Sequence, residues 1–222
     1  VEIKDFGFVA VAAGEGLKEL FQSLGVDGVV SGGQTMNPST EDILNEINRT
    51  PANTVFVLPN NKNIILTAEQ SVSLTSKKVR VIPTKSIPEG IAAMLAFDPD
   101  LDEETNHLNL NKAAGQVQTA QVTFAARDSV VNGQNVKKGQ MLGMENGKIT
   151  VVDNDAVSAA LKTTRHLMKK NTSVVTIIYG EGVTEEDAER LKKQIESKAT
   201  SGAEVVIVNG GQPVYYFIVS IE

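Results

Sequence analysis

The chain has 222 residues, carries 21 Lys+Arg against 27 Asp+Glu for a net charge of −6, and is 41% hydrophobic, with no cysteine and two histidines. This composition excludes disordered and collagen-like chains, disulfides, cysteine-ligated zinc and, through its acidic balance, a nucleic-acid binder; at roughly 150 residues per domain it predicts one large domain or two small ones. No stretch approaches the roughly 18 apolar residues of a membrane span and no signal-peptide pattern opens the chain, so a soluble, cytoplasmic protein without a membrane span is expected.

The first hundred residues alternate strand and helix signals. Phe6 to Ala13 is an apolar run of strand length, and Leu17, Leu20, Phe21 and Leu24 then recur at helical spacing before Gly25. A strand follows at Asp27 to Val30. Ser39 with Asp42 three residues on is a capping-box pattern that predicts a helix carrying Ile43, Leu44 and Ile47. Thr54 to Leu58 reads as a strand, Ala68 to Ser76 as a helix and Val79 to Ile82 as a further strand. This order predicts a mostly parallel sheet covered by helices. The charged stretch from Asp98 to Glu104 reads as a solvated loop or a helix start.

From Val117 to Val152 the pattern becomes antiparallel. Asn132-Gly133 and Asn146-Gly147 lie between β-rich runs, and Asn-Gly is a strong hairpin signal because both residues tolerate positive φ. A helix capped by Asp155, a buried-type strand from Ser173 to Tyr179, a helix opened by Thr184 and Asp187, and strands at Glu204 to Val208 and Val214 to Ile221 complete the chain. The resulting fold class is α/β: two related α/β units with mostly parallel sheets and an inserted antiparallel β-meander. The expected boundaries are residues 1–112, 113–152 and 153–222.

The two units share a sequence order. Each runs strand, Gly-Glu-Gly (Gly14 to Gly16; Gly180 to Gly182), helix, strand, Gly-Gly-Gln (Gly32, Gly33, Gln34; Gly210, Gly211, Gln212). Both Gly-Gly-Gln loops fall at strand carboxyl ends, where open α/β sheets hold ligands, although glycines there also serve simply as tight strand exits.

Known chemical signatures are missing from the sequence. Neither Gly-Glu-Gly continues as a dinucleotide fingerprint, and there is no P-loop, nucleophile elbow, zincin helix or calcium loop. His166 stands among Arg165, Lys169 and Lys170 on a predicted helix, which reads as a solvated face. Three polar loops remain as candidates for binding a partner or a small anionic ligand: Gly32, Gly33, Gln34, Thr35, Asn37 and Ser39; Asn60, Asn61 and Lys62; Thr84, Lys85 and Ser86. If their strands are parallel neighbours, these loops share one edge and present amides, hydroxyls and two ammonium groups. Arg127 in the meander and Gln212 in the second glycine loop are further candidates, the former expected to pair with Asp128. No catalytic residue and no metal ligand is assigned.

The runs SGGQTMNPSTEDIL, LPNNKNIIL, VIPTKSIPEGI, TFAARDSVVNG and EVVIVNGGQPVYYF resemble the C-terminal domain of the fatty acid kinase A subunit, of the dihydroxyacetone-kinase-like family. The resemblance extends from about Phe6 to Glu222. It implies that ATP and magnesium belong to an N-terminal kinase domain of the same polypeptide, with no cofactor in this segment and no kinase activity of its own. It further implies a task of docking a fatty-acid-binding DegV-like protein, whose acyl carboxylate is phosphorylated to acyl phosphate for phospholipid synthesis. The chain opens Val1-Glu2-Ile3-Lys4 without a methionine, as expected of a segment whose catalytic portion lies upstream. The alternative reading is a small-molecule or lipid-binding sensor domain.

Overall fold

The computed structural model describes residues 1–33, 37–198 and 201–222, and the chain divides into two units, Val1–Val117 and Gln118–Glu222. In the first unit, β1 (Lys4–Val11), α1 (Glu15–Ser23), β2 (Gly28–Val30), α2 (Thr40–Arg49), β3 (Ala52–Leu58), α3 (Ile65–Ser71), β4 (Lys78–Val81), α4 (Ile87–Ala96) and α5 (Glu103–Gln116) follow in order. The four strands pair in the order β2-β1-β3-β4, every pair parallel.

Strands β1 and β3 are central and read as continuous apolar runs because both of their faces are covered. One face is aliphatic. Val9, Val11, Val55, Val57, Val79 and Val81 pack there with Ile43 and Ile47 of α2 and Ala68 of α3. The other is aromatic, with Phe8 stacked on Phe56 at 5.3 Å between ring centroids and Phe97 edge-on to Phe8 at 4.8 Å. Helix α2 begins as its sequence predicts: Asp42 N–H donates to Ser39 Oγ at 3.1 Å, and Ser39 N–H donates to Asp42 Oδ2 at 2.9 Å. This capping box satisfies two otherwise unpaired amides of the first turn.

Helix α4 has no counterpart among the sequence-based expectations. Ile87, Pro88, Gly90, Ala92, Ala93 and Met94 are all buried, and a helix covered nearly all round shows no amphipathic period. The charged break at Asp98 resolves into the approach to α5, where Asp102 accepts from Thr105 N–H at 2.7 Å as N-cap. Helix α3 opens earlier than the expected Ala68, at Ile65, and ends at Ser71.

The second unit contains β5 (Gln118–Phe124), β6 (Ser129–Val131), β7 (Gln134–Val136), β8 (Met141–Glu145), β9 (Lys148–Asp153), α6 (Ala156–Leu167), β10 (Val174–Tyr179), α7 (Glu185–Lys198), β11 (Glu204–Asn209) and β12 (Phe217–Ile221). Six strands form one sheet in the order β11-β10-β12-β5-β8-β9, and β6 and β7 form a separate hairpin. The α/β class therefore holds, but the second sheet is mixed: among the described residues β10–β11 is its one parallel pair, and the other pairs are antiparallel.

The physical reason lies in β5, β8 and β9. Expected as a meander inserted between two units, they complete the second sheet, because β5 pairs with β12 from Phe217↔Val122 to Ile221↔Gln118. The change of unit comes at Val117 and Gln118, and residues 113–152 are divided among helix α5, this sheet and the separate β6–β7 hairpin. Both Asn-Gly pairs make the expected hairpin turns, with φ of 52° and 76° at Asn132-Gly133 and 49° and 87° at Asn146-Gly147. Strand β12 starts at Phe217, later than expected. Val214 adopts φ 69° and Tyr215 N–H donates to Pro213 O at 2.7 Å, a tight turn that takes these residues off the ladder. Helices α6 and α7 cover one face through Val157, Ala160, Leu191 and Ile195, packed on Val175, Ile177 and Val219. Among the described residues no helix is long and apolar enough to cross a membrane.

Candidate functional site

The candidate loops of the first unit leave β2, β3 and β4 at their carboxyl ends, and hydrogen bonds tie them together. Asn61 Nδ2 donates to Gly33 O at 2.8 Å, joining the loop after β3 to the loop after β2. Asn60 Nδ2 donates to the carbonyl of Val11 at the end of β1, at 3.0 Å. Asn60 N–H donates to Thr84 Oγ1, which in turn donates to Asn60 Oδ1, both at 2.9 Å, so the loop after β4 is held as well. In the strand order β2-β1-β3-β4 the chain reverses its direction of travel between β1 and β3. The Asn60–Val11 bond spans that reversal, which is where sheets of this kind place ligands.

Asn60 does this from a left-handed conformation, φ 58°, which asparagine tolerates better than most residues with a Cβ. Its side chain presses on α4 so closely that a Cβ at position 90 would force it to move. Gly33, at φ 95°, turns the loop after β2 above Val11 and Ile64.

The candidate residues thus separate into two kinds. Asn60, Thr84 and Ser86 are buried, which corrects their expected role as contact residues: Asn60 and Thr84 hold the loops together, and Ser86 caps α4 by accepting from Glu89 N–H at 3.2 Å. Asn37, Ser39, Lys62 and Lys85 are exposed, and Gly32, Gly33 and Asn61 are half-buried. Gln34 and Thr35 lie outside the described residues.

Two candidates belong elsewhere. Gln212 is fully buried in the second unit, with Nε2 donating to Ile178 O at 3.1 Å and Tyr215 O at 3.2 Å, so it braces its loop and offers no contact surface. Arg127 is exposed in the second unit and does not pair with Asp128, whose carboxylate accepts Lys138 N–H at 2.7 Å. The expected local salt bridge is therefore absent among the described residues.

One residue of the site went unnoticed in the sequence. Glu89 stands in the first turn of α4 and accepts from Lys85 N–H at 3.2 Å. Its burial pushes the carboxyl above its ordinary range, against the opposing pull of that amide. The Ser-x-x-Glu spacing of Ser86 and Glu89 was the available signal, since it marks a helix N-terminus. The rim that results carries two exposed ammonium groups, several amides and one half-buried carboxylate. Such a set suits polar and anionic contacts made by hydrogen bonding. Among the described residues no group of three His, Cys, Asp or Glu stands close enough to hold a metal ion.

The two sequence repeats also have different physical bases. Gly14 has φ 113°, a conformation few other residues adopt. Gly180 is required instead by close approach, since a Cβ there would lie 2.4 Å from Tyr215 O and 2.5 Å from Gln212 O.

The chain is 45% identical over 217 residues to Protein YloV of Bacillus subtilis, an alignment that covers 98% of this chain and 39% of that protein; it thus spans about two fifths of the length of the curated relatives it matches. Its fold is similar to that of the Fatty Acid Kinase (Fak) B3 protein of Streptococcus pneumoniae, solved loaded with linoleic acid, with TM-score 0.64, 10% identity and coverage of 98% of this chain and 99% of that one. It is also similar to the dihydroxyacetone kinase of C. freundii in complex with AMP-PNP and Mg2+, with TM-score 0.62, 13% identity and coverage of 97% of this chain and 48% of that one. Residues 7–222 match the FakA-like C-terminal family, the C-terminal portion of proteins like the fatty acid kinase A subunit, and the chain belongs to that family.

Proposed function

We propose that this chain is the docking portion of a cytoplasmic fatty acid kinase, engaging a separate fatty-acid-binding protein of DegV-like type through the loop rim of the first unit. Family membership supports the kinase system. The observation that carries the docking assignment is the rim itself. Asn60 and Asn61 cross-link the strand exits into a braced platform, and Lys62 and Lys85 stand exposed on it. A surface whose backbone is already ordered loses little entropy on association.

On this reading the segment performs no phosphoryl transfer. ATP and magnesium belong to an N-terminal kinase domain of the full-length polypeptide, and the role of this chain is to hold the acyl carboxylate of the partner near that domain. Tethering of this kind converts a bimolecular encounter into an effectively intramolecular one. The acyl phosphate formed would supply phospholipid synthesis.

Calorimetry of the 222-residue chain with an acyl-loaded partner tests the assignment. Binding is expected, and the double variant Lys62→Glu/Lys85→Glu is expected to weaken it by at least about tenfold, or about 1.4 kcal/mol. Unchanged affinity in that variant would remove the rim as the interface. ATP turnover by the segment alone would contradict its non-catalytic role, and an acyl chain co-purifying with it would favour direct lipid binding.

A further inference from the structure

The run Arg165, His166, Lys169, Lys170 is divided by the fold. His166 turns to Glu145, with Nδ1 2.8 Å from Oε2. Arg165, Lys169 and Lys170 instead join Lys198, at the end of α7, around a cavity of about 410 Å³ lined also by Met168 and Ile195.

The fold brings these cations together by ending two helices side by side. Helices α6 and α7 share the core of the second unit, and α6 ends at Leu167, with Met168 already extended. The next residues form a tight turn in which Lys169 N–H donates to Thr172 Oγ1 at 2.8 Å and Thr172 N–H donates back to Lys169 O at 3.1 Å. The buried Thr172 thereby holds Lys169 and Lys170 at the exposed tip. Lys162 on α6 and Arg190 on α7 reach carboxylates of Asp153 and Asp187. Arg165, Lys169, Lys170 and Lys198 reach none among the described residues. Glu204 begins β11 and Glu222 follows the end of β12 at this same end of the sheet, beside Ser173, yet neither forms an ion pair with the four cations.

Cations at helix C-termini complement the macrodipole, and one or two would serve that purpose. Four around one cavity repel one another with no direct ion pair to offset them, and the field they create persists over roughly a Debye length of 8–10 Å despite the acidic balance of the chain. The cavity is within the size range of small-molecule sites and far exceeds a bare phosphate. The apolar part of its lining comes mainly from half-buried Met168, since Ile195 behind it belongs to the core.

We propose that this cavity binds a phosphate group carried on a larger, partly apolar body. The cationic rim takes the phosphate through charge-assisted hydrogen bonds, with Arg165 suited to bidentate contact, and Met168 meets the start of the attached carbon skeleton. Two sources present this chemistry: the headgroup of an anionic phospholipid and a free phosphomonoester.

The experiment has an arm for each. Flotation of the 222-residue chain with phosphatidylglycerol vesicles, against phosphatidylcholine vesicles, reads the lipid source; calorimetry with glycerol 3-phosphate reads the free one. Binding in either arm identifies the source. The double variant Lys169→Glu/Lys170→Glu should then lose vesicle affinity by about 25-fold, from roughly fivefold per lysine at an anionic surface, and should likewise weaken any binding of glycerol 3-phosphate. Lys198→Glu, at a separate position, should lose at least about fivefold on the same basis, with circular dichroism confirming that both variants fold. Absence of binding in both arms, or binding unchanged in both folded variants, overturns the proposal.

Discussion

The amide of Asn60 occupies the space that a side chain on Gly90 would need: a Cβ at position 90 would lie 2.1 Å from Asn60 Oδ1. The strand-exit loops and helix α4 are therefore fitted to each other through one residue in a left-handed conformation. Gly90→Ala should displace this amide from Val11 O and Thr84 Oγ1. The overpacking cost of about 1–3 kcal/mol exceeds the helix-propensity gain of up to about 1 kcal/mol. Urea denaturation should show a net loss. In an Asn60→Gly background, which removes the clash and tolerates φ 58°, the same Gly90→Ala change should become neutral or stabilising. Equal costs in both backgrounds would disprove the coupling.

Thr84 tests the same junction from its other side. Its hydroxyl accepts from Asn60 N–H and donates to Asn60 Oδ1 in a buried setting. Thr84→Val preserves shape and leaves both Asn60 groups unpaired, for an expected loss of about 1–3 kcal/mol by chemical denaturation. Thr84→Ser keeps the hydroxyl and should recover most of that loss. A Val variant as stable as the Ser variant would show that the bonds contribute little.

Gly180 and Gly115 should respond with opposite signs. At Gly180 an added Cβ meets two main-chain oxygens at 2.4 and 2.5 Å, and backbone cannot swing aside as a side chain can. Gly180→Ala should cost roughly 3 kcal/mol or abolish folding of the second unit. At Gly115, inside α5, nothing lies within 4 Å of the new atom. Gly115→Ala should stabilise by up to about 1 kcal/mol. Thermal melts of the two variants make the comparison directly.

Asp153 predicts a pH dependence. Burial alone would raise its carboxyl, but hydrogen bonds from Lys162, Ser158 and the amides of Asp155 and Asn154 outweigh burial and hold it at about 2, against 3.8 ordinarily. Because folding lowers this value, the stabilisation is fully present above pH about 4 and is lost as pH falls towards 2. Asp153→Asn should cost roughly 1.5–3 kcal/mol at pH 7, from the loss of a charged acceptor. The difference from the natural chain should shrink between pH 4 and pH 2 in urea titrations, and a constant difference across that window would rule out this origin.

Local chemistry made much of the fold legible in advance. The capping boxes at Ser39–Asp42 and Thr184–Asp187 and the Asn-Gly turns depend on interactions within a few residues, and all four form as their sequences indicate. Helix α4 was legible only at its start, through Ser86 and Glu89, because a segment buried on most sides carries no periodic pattern to show its extent. The candidate loops could be placed at strand ends from alternating strand and helix signals. Whether Asn60 and Thr84 would face a ligand or brace the scaffold could not, since that depends on partners 49 and 24 residues away in the chain.

By itself, then, the sequence determined the α/β class, most strand and helix positions, the polar character of the loops and, through specific runs, the family. Tertiary structure decided how strands from distant parts of the chain share a sheet, which made three strands of the supposed meander half of the second unit's six-stranded sheet. It also decided which polar residues are buried. Two identical Gly-Gly-Gln triplets illustrate the limit: the second buries its Gln212 against Ile178 O and Tyr215 O, while the glycines of the first shape a loop held by Asn61. Short motifs specify backbone conformation through local sterics, but exposure, and with it binding, is set by neighbours brought close only when the chain folds.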